Sequence, residues 1–234
     1  MAERLPVGGS SRVEVDAFLK KAAQTPTVAQ RAGRLVFAID ATMSRAPTWS
    51  AASEIQADMF NVTEAVGGLA VQLVWFRGRG EFHASAWTTT PAALGKCMRD
   101  VECVSGFTQL RRVLAHVRAE AASSRVGALV YVGDCFEENA DVVLKEAGAL
   151  ALLGVPAFMF HEGRDANAAA VFREVARLTR GIYARFDSGA AGRLRALLQA
   201  AAIFAAGGMK ALTDHGERVG GEVKQLARII SGQR

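Results

Sequence analysis

Five oxygen-bearing side chains are spaced in a way that suits a hard cation. Asp40-Ala41-Thr42-Met43-Ser44 puts an acid and two hydroxyls at alternate positions, and alternate side chains of an extended loop point to one side. Asp40 closes the apolar run LVFAI as Asp134 closes the run ALVYVG, and Thr108 stands where a helical stretch opens between them. Two carboxylates brought into one crevice repel each other unless one takes up a proton or a cation neutralises them. Two carboxylates, three hydroxyls and water make a donor set for Mg²⁺ or Mn²⁺, and the lack of His and Cys in it disfavours zinc.

These residues meet only if the fold brings two distant strand ends together. LVFAI (35–39) and ALVYVG (128–133) are unbroken apolar runs, the pattern of strands buried on both faces of a parallel sheet. Between them the pattern predicts a helix from about Ser50 to Ala65, then AVQLVWF and EFHASAWT joined by the turn Arg77-Gly78-Arg79-Gly80, a β-hairpin. A helix opening at Pro91 and another from Thr108 follow. After Asp134 the alternation continues with helix 138–152, strand 156–160, helix 168–180, strand 181–186 and helix 193–206. The expectation is a doubly wound, Rossmann-like α/β fold: a mostly parallel central sheet with one antiparallel edge strand and helices on both faces. In the common strand order 3-2-1-4-5-6, the first and fourth strands flank the switch point, and Asp40 and Asp134 face each other across the ligand crevice.

A domain of residues 34–206 is therefore expected, with an N-terminal helical extension (1–33) and a C-terminal one (207–234). Val13, Val15, Phe18 and Ala22 are candidates for a docking face in the first. Leu212, Val219, Val223, Leu226 and Ile230 fall near helical spacing around the Gly220-Gly221 break in the second. With 234 residues, half of them hydrophobic, the chain can bury a sizeable core without staples. Cys97, Cys103 and Cys135 match neither a zinc pattern nor a redox pair, and free thiols suit a reducing compartment. No signal-peptide pattern is seen at the start, and charges or glycines interrupt each apolar stretch, so a cytoplasmic protein without a membrane span is expected. The net charge is +5, but Lys and Arg alternate with Glu and Asp along helices, which argues against specific nucleic-acid binding.

The strand-terminal Asp-x-Thr-x-Ser, the later Gly106-Phe107-Thr108 opening a helix, and Asp134 ending the fourth strand resemble, in matching order, the metal-ion-dependent adhesion site of von Willebrand factor type A domains. The resemblance covers about residues 34 to 206, including the hairpin and the closing GIYARF strand. It implies a divalent metal held by Asp40, Thr42, Ser44, Thr108 and Asp134, directly or through water, with an acidic side chain of a partner protein completing the shell. The chain departs from the family pattern with Thr42 in place of serine, Cys135 where glycine is common, and Arg45 inside the loop. Glu137 and Glu138 after it could supply outer-shell acceptors or helix-capping charge.

The function expected is thus binding, with no catalysis: a protein-protein interaction module that captures a partner's Asp or Glu through the cation. A metal-dependent hydrolase or phosphotransferase is the rival, since strand-end aspartates with Mg²⁺ also serve phosphoryl transfer. Such enzymes typically add a second acid or base after the first strand, where Thr42 stands here. A scaffold that kept the fold and lost the metal is the third reading. His83, His116, His161 and His215 lie in separate elements without triad-like or i, i+4 partners, and Cys135 beside Asp134 has neighbours that raise its pKa. Arg77-Gly78-Arg79-Gly80 joins hairpin strands and opens no helix, so it is not a phosphate loop.

Overall fold

The structure is a computed structural model that describes residues 32–187 and 190–230. The proposed docking face at Val13, Val15, Phe18 and Ala22 lies outside them. Six strands form one sheet: β1 (Gly33–Asp40), β2 (Leu69–Arg77), β3 (Glu81–Ala84), β4 (Ala128–Gly133), β5 (Ala157–Glu162) and β6 (Ile182–Phe186). Their order is β3-β2-β1-β4-β5-β6. Every neighbouring pair is parallel except β2 and β3, whose register Arg77↔Glu81 makes them the expected hairpin. β1 and β4 are central, and β4 and β5 are buried along their whole length, which is why they read as continuous apolar runs.

Period-two alternation sorts the strand side chains onto two cores. Leu35, Phe37 and Ile39 face a layer built from α1 (Ala46–Ile55), α2 (Ala57–Thr63), α3 (Pro91–Arg99) and α7 (Ala191–Val219). Val36 and Ala38 face α4 (Leu110–Ser123), α5 (Ala140–Leu152) and α6 (Ala166–Leu178). The helix predicted from Ser50 to Ala65 is two helices that begin earlier, at Ala46, because Pro47 fits the first turn. Asn139 and Asp165 cap α5 and α6 by accepting hydrogen bonds from the backbone of Val142 and Ala168.

α7 approaches the sheet unusually closely because both surfaces are stripped of side chains. It presents Ala201, Ala202 and Ala205, all buried, to the amino ends of β1 and β4. A Cβ on Gly33 would fall 2.4 Å from the carbonyl oxygen of Ala205, and one on Gly127 would fall 2.5 Å from the same atom. By length and composition α7 could cross a membrane; here its backbone leaves helical geometry at Gly208 and its inner face is buried on the sheet. Past Gly220 (φ 70°), α8 (Gly221–Ile230) packs Val223, Leu226 and Ala227 into the same core as Leu212. Val219, placed on that apolar face by its spacing, is 61% exposed. It stands next to the Gly220 break, where the helical period is lost.

Because the gap at Gly127 is bounded by backbone, no side chain can yield there. Gly127→Val is expected to lower the unfolding free energy by about 2–3 kcal/mol in a urea titration, whereas Gly148→Ala, where a Cβ meets open space, leaves it unchanged or raises it slightly.

Candidate metal centre

The pairing of β1 with β4, register Ile39↔Val132, brings Asp40 and Asp134 out of the sheet side by side at its carboxyl edge. Asp40 is fully buried, and its Oδ1 accepts the Thr42 N–H at 2.8 Å, an Asx-type turn that folds the loop back over the strand end. A single 3₁₀ turn, Met43–Arg45, follows. It carries Ser44 Oγ to 2.9 Å from Asp134 Oδ2, to which it donates, and to 3.3 Å from Thr42 Oγ1. Four of the five residues read from the sequence therefore lie in one connected cluster. Thr108 is also buried, but its bonds go to Glu137: its N–H donates to Glu137 Oε2 and its Oγ accepts from the Glu137 N–H, each at 3.2 Å. It is tied to the Asp134 loop, three residues beyond the acid.

Arg45 is the residue whose position changes the electrostatics. Its guanidinium is almost fully buried, with Nη2 2.9 Å from Asp134 Oδ2 and Nη1 against Glu162, which also accepts from the Thr48 hydroxyl. A cation of the chain's own thus already neutralises one side of the acidic cluster. On the other side, Asp40 Oδ2 and Asp134 Oδ1 are buried with no hydrogen-bond partner. An orphaned buried carboxylate oxygen is costly, and two of them here are what a hard cation would use. Among the described residues no three His, Cys, Asp or Glu side chains gather as a metal cage, so such an ion would rely on the hydroxyls and water beside the two acids.

Burial pushes the Asp40 carboxyl up from the usual 3.8 to about 6; the negative charge of Asp134 adds to this, while the Thr42 hydrogen bonds and Arg45 oppose it. The Tyr131 phenol, buried on the same face of the sheet without a hydrogen-bond partner, is raised by burial and by Asp40. Burial, with Asp134 next to it, lifts the Cys135 thiol to about 12, which leaves it protonated and unreactive at neutral pH. His161 is held by two bonds, and since a carbonyl can only accept, its Nε2 donates to Asp134 O at 3.0 Å while its Nδ1 accepts from the Tyr183 hydroxyl at 2.9 Å. It props up the Asp134 loop.

His161 and Glu162 went unread in the sequence as parts of this centre. The strand expected to end at Phe160 runs on to Glu162, and those two extra residues supply His161 and the Glu162 that holds Arg45. The signal was present, since an acid at the carboxyl end of a buried strand repeats the pattern of Asp40. Glu138 caps a helix other than its own, accepting from the N–H groups of Leu110 and Arg111 at the start of α4. A cleft of about 550 Å³, lined by Ser44, Arg45, Asp134, Glu162, Asp165 and Asp187 among others, leaves the cluster open to solvent.

No family model and no curated protein matches the sequence. Solved structures do match by shape. The pilus adhesin SpaC of Lactobacillus rhamnosus GG superposes with TM-score 0.59 at 12% identity, over 74% of this chain and 30% of the adhesin. Proximal thread matrix protein 1 of the mussel byssus, in a form with a zinc-occupied MIDAS motif, gives 0.58 at 13% identity over 74% of this chain and 46% of that one. The SpRpn10 VWA domain gives 0.53 at 14% identity, over 73% of this chain and 93% of that domain. The chain thus spans less than half of the first two proteins and nearly all of the isolated domain. At these identities the likeness is one of fold.

The buried charge makes a signed prediction. Between about pH 4 and 6 native Asp40 binds more proton than the unfolded chain does, so metal-free stability falls as pH rises through that window, by about 3 kcal/mol in all from this group. Asp40→Asn, which keeps the acceptor for the Thr42 N–H, is expected to raise the metal-free melting temperature by several degrees at neutral pH and to flatten the fall. A wild-type midpoint that climbs from acid to neutral pH by as much as the Asn variant's would contradict the burial cost.

Proposed function

We propose that this chain, whose fold is that of von Willebrand factor A domains, is an interaction module that binds a protein partner's carboxylate through a divalent cation held by Asp40, Ser44 and Asp134. The observation that carries the reading is the pair of buried, partnerless oxygens, Asp40 Oδ2 and Asp134 Oδ1, on the two acids at the carboxyl edge of the sheet. A bound divalent ion supplies positive charge there and a coordination position for an incoming carboxylate; Mg²⁺ and Mn²⁺ suit the all-oxygen donors best. The chain's own residues do the rest. Asp40 fixes the loop through Thr42, Ser44 orients Asp134, and the Glu137 bonds to Thr108 hold the α4 entrance against the same loop. Binding is favoured over hydrolysis because Cys135 is held protonated and His161 has both ring nitrogens engaged, which leaves neither of them as a nucleophile or base. The three free thiols, Cys97, Cys103 and Cys135, support a place in a reducing compartment, which we take to be the cytoplasm.

Arg45 supports a second reading, a scaffold without metal. Its guanidinium neutralises Asp134 and Glu162 from within, so the fold needs no ion to stand. A thermal melt separates the two. After chelation, titration with Mg²⁺ or Mn²⁺ is expected to raise the wild-type midpoint with saturation, because a ligand of the native state stabilises it, and to leave Asp40→Ala and Asp134→Ala flat. A flat wild-type response in a folded protein would leave the scaffold standing. Arg45→Met is expected to strengthen the metal response about tenfold in apparent affinity, since the competing charge is gone.

A further inference from the structure

The loop face that carries the cation cluster also carries an arginine-lined hollow on its hairpin side. The turn Arg77-Gly78-Arg79-Gly80 and the segment before α4 are locked together. Gly106 sits so close to Gly78 that a Cβ on it would fall 2.1 Å from the Gly78 nitrogen, and the Phe107 N–H donates to Gly78 O at 3.0 Å. Arg112 Nη1 donates to Gly80 O at 2.7 Å while its guanidinium lies 4.7 Å over the Phe82 ring, and Gln109 Nε2 donates to Glu81 O at 3.1 Å. This rigid join frames a hollow of about 280 Å³ lined by Arg79, Phe107, Gln109, Arg111, Arg112 and Glu138, with Gly80 at its edge. Glu138 is its one acid, and its oxygens are already taken by the N–H groups of Leu110 and Arg111. Arg79 makes no ion pair among the described residues, and Arg79, Arg111 and Arg112 are all exposed.

Apolar surface links this hollow to the cation loop. Phe107 is 58% exposed and Met43 59%; Val104 is 41% exposed, and its N–H donates to Ala41 O inside that loop. On the opposite side of Asp134 the cleft lining is net acidic, with Glu162, Asp165 and Asp187 outnumbering Arg45 and Arg164. A negatively charged partner is therefore drawn toward the arginines and away from β5 and β6.

We infer that Arg79, Arg111, Arg112 and Phe107 form a second docking point for an acidic protein segment. One carboxylate of that segment goes to the cation, its apolar side chains cover Met43, Val104 and Phe107, and its further acids lie in the arginine hollow. This rests on the cation-dependent reading above and names the chemistry of its partner. A protein segment is favoured over nucleic acid because the path between the two points is apolar and the cleft beyond is acidic, both unfavourable to a phosphate backbone.

The test uses a fluorescein-labelled synthetic peptide rich in Asp and Glu around one Leu and one Phe, its Asn/Gln counterpart, and a labelled single-stranded oligonucleotide, with Mg²⁺ present. Wild type is expected to bind the acidic peptide and not the neutral one. Arg111→Glu/Arg112→Glu is expected to weaken peptide binding about tenfold or more while its Mg²⁺-dependent thermal shift stays that of wild type, and Phe107→Ser to weaken it without changing salt dependence. Asp40→Ala, which removes the cation response, is expected to keep residual peptide binding that still falls with Arg79→Glu. That residual arm separates the two ideas, since it survives if the cation reading alone fails. Peptide binding that is absent in wild type, unaffected by the charge reversals, or weaker than binding of the oligonucleotide would overturn the proposal.

Discussion

Like charges at the ends of adjacent parallel strands are the constraint around which this molecule is arranged. Past Arg34, β1 is apolar up to Asp40, β4 is buried along its length up to Asp134, and the two acids stand at the same edge of the sheet. Parallel pairing leaves these acids no choice but to approach each other, in surroundings where burial already penalises charge. The loop that follows each strand answers that conflict. The Thr42 N–H and the Ser44 hydroxyl bond to the acids from one loop, His161 steadies the backbone of the other, and Arg45 brings in a buried positive charge.

The answer is incomplete on one side, and this asymmetry connects structure to function. Arg45 and the Ser44 hydroxyl satisfy the outer oxygen of Asp134, while the inner oxygens of Asp40 and Asp134 are left without partners. A fold that only needed to be stable would gain by replacing Asp40 with a neutral residue. Keeping the acid there costs stability, a cost that the divalent ion we propose would offset.

The sheet and its helices were largely legible in the sequence, because burial on both faces writes unbroken apolar runs and the hairpin carries its glycines openly. The strand order came from the common doubly wound arrangement, and the facing of Asp40 and Asp134 followed from it. What could not be read were the details set by contacts distant in sequence. Arg45 stood out as a charge in the loop, but its partner lay 117 residues away, behind a strand boundary drawn two residues short at Phe160. Thr108 was expected among the metal ligands; its bonds to Glu137 depend on how two loops cross, which no local spacing encodes. The break of α7 at Gly208 and the return of α8 onto it likewise depend on packing between helices whose sequences read alike.

The most direct test of the central claim is to count bound ions. Mn²⁺ titrated into the chelated protein and followed by electron paramagnetic resonance of the free ion reports stoichiometry without reference to stability or partner. One saturable Mn²⁺ per chain is expected, displaced by Mg²⁺ and lost in both Asp40→Ala and Asp134→Ala. Absence of saturable binding, or binding that survives both substitutions, would contradict it.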